Sequence, residues 1–114
     1  HDFGRMTRLM EDSRELALTH GLIDRHATLV FHDVPKSRVA LVGKRSNHGV
    51  ELEFPGFDYL GVWTASTESP FIAVEPWHGC ASAYDESGRF EDKRSTITLA
   101  PGERTELAFT VTPF

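Results

Sequence analysis

The sequence predicts an all-β protein, an antiparallel β-sandwich. From residue 27 onward apolar side chains alternate with period two, and turn residues punctuate the alternation every few residues. Helical periodicity is scarce by comparison. Short strands spaced by turn signals in this way are the pattern of a two-sheet sandwich.

Taken in order, residues 5–18 hold strong helix formers (Met6, Leu9, Met10, Glu11, Glu15, Leu16) and predict a short helix there. Residues 27–32 read as a strand with Leu29 and Phe31 on one face. A turn at Pro35, Lys36 and Ser37 leads into a second strand over 38–42, closed by Gly43. Asn47, His48 and Gly49 make the next turn, before a strand over 50–54 with Glu51 and Glu53 facing water. Pro55 and Gly56 break the chain ahead of a strand over 59–64, and 66–70 is a polar loop. Residues 71–75 are a nearly continuous apolar run, read as a central strand, and 79–89 read as a longer loop. Two strands, 95–99 and 105–112, close the sequence around the Pro101-Gly102 turn, with Leu107, Phe109 and Val111 on one side of the second. Residues 1–114 therefore form a single unit, expected to be an incomplete sandwich with edges where missing polypeptide would pair.

The chain of 114 residues, 39% hydrophobic and 25% charged, is composed like one soluble globular domain. A formal net charge of −5 and scattered Lys and Arg argue against a nucleic-acid partner. No apolar run reaches membrane-spanning length and no signal-peptide pattern opens the chain. The single Cys80 has no internal disulfide partner, which fits a reducing compartment, the cytoplasm by default. Residue 1 is His rather than Met, so the chain is expected to be one piece of something longer.

Glu75 stands out chemically. It ends an apolar strand and precedes Pro76, which cannot donate a ladder hydrogen bond and should end or bend the strand, and Trp77. A carboxylate in such a partly desolvated setting suits a general base or acid; the plainer alternative is a strand-end carboxylate that reaches solvent or pairs with Arg or Lys. Trp77 either stacks on the apolar face of a bound ligand or packs in the core or at a rim, and Trp63 reads as core. His78 and Cys80 have a spacing seen at metals, but with one Cys and no second cluster of ligands no metal site is expected.

Residues 57–64 (FDYLGVWT) followed by 70–79 (PFIAVEPWHG) resemble the C-terminal hallmark of the bacterial aldose 1-epimerase (mutarotase) superfamily, a "lGiW" strand and then "pFvciEPW.G". Residues 16–24 with 27–31, and Lys93 with 97–103, resemble further segments of that family, so the likeness runs from about Leu16 to near the end. The resemblance implies a galactose-mutarotase-like β-sandwich acting on the anomeric carbon of an aldose or sugar phosphate, with no cofactor. The glutamate matching Glu75 takes the proton of the C1 hydroxyl, and a histidine protonates the ring oxygen. That acid sits in a His-Pro-aromatic segment in the family. None of His1, His20, His26, His32, His48 and His78 precedes a Pro here, so the acid is expected in missing N-terminal polypeptide. The family's substrate-binding aspartate aligns with His26, with Asp24 two residues away. Period two would put both on one face if the first strand begins that early, and a plain loop role is the alternative. His78 is a further candidate at the pocket mouth. The rival readings are a noncatalytic carbohydrate-binding sandwich and a structural fragment that pairs with another copy.

Overall fold

Thr19 is where the observed regular structure begins. The computed structural model describes residues 10, 13–66 and 68–114. Thr19 Oγ1 accepts a hydrogen bond from the Leu22 amide at 3.1 Å, capping the helix α1 (His20–His26). The helix ends at Ala27, whose φ of 58° leaves helical space. The helix expected over 5–18 falls partly on residues 1–9, 11 and 12, which lie outside the described residues; 13–18 are not helical. A hydroxyl cap thus outweighs the helix formers upstream of it, and the strand expected from residue 27 begins at Leu29, after the helix end at Ala27.

Six strands follow: β1 (Leu29–His32), β2 (Arg38–Val42), β3 (Gly49–Glu53), β4 (Tyr59–Trp63), β5 (Ala73–Trp77) and β6 (Thr110–Pro113). They form two antiparallel three-stranded sheets, ordered β1-β4-β5 and β2-β3-β6. Leu29, Leu60 and Val62 from the first sheet meet Leu52 of β3 and Phe54 just beyond it in one buried cluster, the shared core of a β-sandwich. Leu22 of α1 and Val74 of β5 pack against this cluster. On the outer face of the second sheet Arg38 bonds to Glu51 and approaches Glu53, so Glu51 is half-buried under a guanidinium rather than facing open water.

Three expectations need correction. The strand after Ile72 begins at Ala73, runs through Pro76 to Trp77, and is not central: among the described residues β4 is its one neighbour. An edge position explains why Pro76 does not stop it, because the missing N–H costs no ladder bond on the open side. Residues 95–99 form no strand. Ser95 takes a φ of 58°, and Ile97 and Leu99 remain exposed with no paired neighbour, so alternation alone did not make a sheet. The last strand is shorter than 105–112 because β3 is only five residues long; pairing of Glu53 with Thr110 uses up its end.

No helix among the described residues is long and apolar enough to cross a membrane.

Candidate active site

The β4–β5 register decides what surrounds Glu75. Gly61 lies opposite Glu75, Trp63 opposite Ala73 and Tyr59 opposite Trp77. Leu60 and Val62 point into the core, so alternation turns Tyr59, Gly61 and Trp63 to the other face of the sheet. The same rule puts Ala73, Glu75 and Trp77 on that face, with Val30 and His32 of β1 beside them across the Gly61 and Tyr59 pairings. The candidate base therefore stands on the face turned away from the hydrophobic core.

Two indoles hold it there. Trp63 Nε1 donates to Glu75 Oε1 at 2.8 Å, and Trp77 Nε1 donates to Glu75 Oε2 at 3.1 Å. Each carboxylate oxygen thus has one N–H partner, and the side chain is half-buried. An ionised carboxylate offers about four acceptor sites, so roughly two are left for a hydroxyl of a bound molecule. Phe71 stands edge-on to Trp63, ring centroids 5.8 Å apart. Trp77 lies directly over Gly61, where a Cβ would fall 2.4 Å from the indole. Only a glycine at 61 leaves room for this ring.

Gly61→Ala is accordingly expected to displace the Trp77 indole and break its bond to Glu75. An overpacking cost of about 1–3 kcal/mol should accompany it. Urea unfolding reads the first-order cost and the Trp77 indole N–H resonance reads the bond; an unmoved resonance would contradict the close approach.

Sequence reasoning placed Glu75 and Trp77 together, and the fold brings them into contact. It missed Trp63, read as core, which instead faces the carboxylate. The available signal was the alternation itself, since Trp63 has the parity of Gly61 and not of Leu60 and Val62. Asp24 and His26 lie on α1, not on an extension of β1. Two residues advance a helix by about 200°, so the shared face expected of a strand does not exist, and the two side chains diverge. Asp24 is exposed and His26 half-buried. The His78 ring donates from Nδ1 to the Gly56 carbonyl at 3.2 Å and lies 3.5 Å from Asp58, tying β5 to the turn before β4.

Glu75 lines neither of two well-formed hollows on the described residues. One of about 700 Å³ is bounded by His32, Asp33, Phe54, Phe57, Asp58 and Tyr59 among others; the other, about 1120 Å³, lies between the approach to α1, the end of β2 and residues 69–72. The carboxylate sits on the sheet face opposite the core. No group of three or more His, Cys, Asp or Glu side chains converges among the described residues.

The chain is similar to part of LacX. Over 111 residues, 97% of its length, it is 31% identical to the chromosomal protein LacX of Lactococcus lactis subsp. lactis, and 30% identical to the plasmid form. The matched stretch is 37% of either LacX, so the chain spans well under half the length of the curated relatives it matches. No protein-family model matches the sequence, and no solved structure matches it significantly.

Proposed function

We propose that the chain is the base-carrying part of an aldose 1-epimerase-type isomerase, with Glu75 as general base. The observation that carries this reading is the carboxylate held by two indole N–H groups on a sheet face with acceptor sites to spare. In the reaction, Glu75 accepts the proton of the C1 hydroxyl as the bond from C1 to the ring oxygen breaks. The electron pair goes to the ring oxygen, which takes a proton from the acid. Rotation about C1–C2 in the open-chain aldehyde, then closure with both proton transfers reversed, yields the other anomer.

The acid is supplied by polypeptide beyond these 114 residues. Three observations support that. No His here precedes Pro, and most of the length of LacX has no counterpart in the chain. The third is the open edge that β6 leaves on its sheet among the described residues. Phe109, Val111 and Phe114 remain half-exposed at and beside the β6 edge. Trp77, with His26, Asp24 and His78, remains a proposed sugar contact, although His26 and Asp24 lie on α1 and not on the strand that suggested them.

Polarimetry tests the reading. Freshly dissolved α-aldoses and their 6-phosphates should mutarotate faster than in buffer when the polypeptide carries both this chain and its upstream segment. The chain alone should add little. Failure to accelerate any aldose in the longer polypeptide would remove the assignment.

A further inference from the structure

We propose that Trp63 and Trp77 are positioning residues that act jointly through Glu75, fixing the plane of its carboxylate and the direction of its free acceptor sites. This rests on the reading of Glu75 as a base and adds to it the device that keeps the base ready. An acidic side chain on a half-buried face lacks the water that would otherwise solvate its charge. Here two neutral N–H donors replace that water, one per oxygen, from two different strands. Hydrogen bonds to an anionic acceptor are stronger than to a neutral one, so each indole is a firm restraint on the carboxylate plane. Neither indole brings a charge of its own that would pair with, and block, the remaining acceptor sites.

Each donor has its own fixture. Phe71 stands against Trp63, and the bare backbone of Gly61 lets Trp77 lie flat across β4. Because one donor comes from β4 and the other from β5, the carboxylate cannot rotate without losing at least one bond. The titratable groups sharing this face are His32 of β1 and Tyr59 of β4. The Asp58–His78 pair lies at the adjoining strand ends, and His32 itself is bonded to Asp33 at 2.6 Å.

The sequence supplies its own reporters, since Trp63 and Trp77 are its two tryptophans. In a ¹H–¹⁵N spectrum of the chain, Glu75→Gln should move both indole N–H resonances, whereas His32→Asn should leave both in place. In Trp63→Phe the Trp77 resonance should broaden as the carboxylate loses its second anchor, and in Trp77→Phe the Trp63 resonance should do the same. In the longer polypeptide each Trp→Phe change should lower kcat about tenfold, with KM within about twofold. A Glu75→Gln spectrum in which one indole resonance keeps its wild-type position would overturn the proposal. So would a folded Trp→Phe variant that keeps the wild-type kcat. Both indole resonances moved by Glu75→Gln in a polypeptide that anomerises no aldose would sink the base and leave the clamp standing. Anomerisation lost in Glu75→Gln with one indole resonance unmoved would do the reverse.

Discussion

Glu75→Gln is expected to lower catalysed mutarotation by about 10²–10⁴-fold, the range removed with a general base. The substitution keeps the length and shape of the side chain, so the two-sheet core on the opposite face should not register it. What changes is proton affinity, and with it the hydrogen-bond arithmetic. The amide has one acceptor oxygen and one NH₂ group. One of the two indoles keeps its acceptor; the other faces a donor and must turn or find water. A modest stability loss of about 1 kcal/mol follows from that mismatch, small beside the kinetic effect. Glu75→Asp makes a useful companion, because a side chain one methylene shorter cannot reach both indole nitrogens from the same backbone. Initial rates with saturating aldose, followed by optical rotation in the polypeptide that supplies the acid, decide the matter. A Glu75→Gln variant at wild-type rate would assign the proton transfer to another group.

How much of this was legible in the sequence depends on which interactions are local. The β2, β3 and β4 strands were readable because each has alternation bounded by Pro, Gly or Asn, and both signals lie within about six residues. Glu75 was readable because its neighbours in sequence are apolar. Its partner Trp63 was not, since the bond joins residues twelve positions apart and depends on the register that sets Gly61 against Glu75, and no single strand encodes its register. The same limit explains residues 95–99: their alternation is as clean as that of β3, yet a strand requires a neighbour and none pairs with them among the described residues. Pro76 was misjudged for a related reason, because whether a proline ends a strand depends on whether the strand is central or an edge. α1 was missed at a different level. Seven residues are too few for a periodic signal, and only the hydroxyl of Thr19 marks the start.

Phe54→Ala should be the most destabilising single change in the chain, by about 3–5 kcal/mol. Phe54 is 1% exposed and one of the two largest fully buried side chains, yet it lies just past the end of β3 rather than within a ladder. Its backbone is anchored at that spot: its amide donates to the Ser37 carbonyl at 2.8 Å, and its carbonyl accepts from the Phe57 amide at 3.3 Å. The side chain therefore cannot follow a collapsing core, and the cavity left by truncation should stay largely open. The core is also small, five residues in its buried cluster among the described residues, so the loss is a large share of what joins the sheets. Leu60 and Val62 belong to that cluster, and the strand that carries them presents Gly61 and Trp63 on its reverse side. Loosening the core should accordingly loosen the Trp63–Glu75 bond, though Phe54 packs with Leu60 and Val62 on the opposite face of that sheet. Urea denaturation gives the stability loss, and the Trp63 indole resonance, broadened or shifted in Phe54→Ala but restored in Phe54→Leu, gives its reach to the site. A loss below about 1 kcal/mol would mean that the two sheets are held together chiefly by contacts outside this cluster.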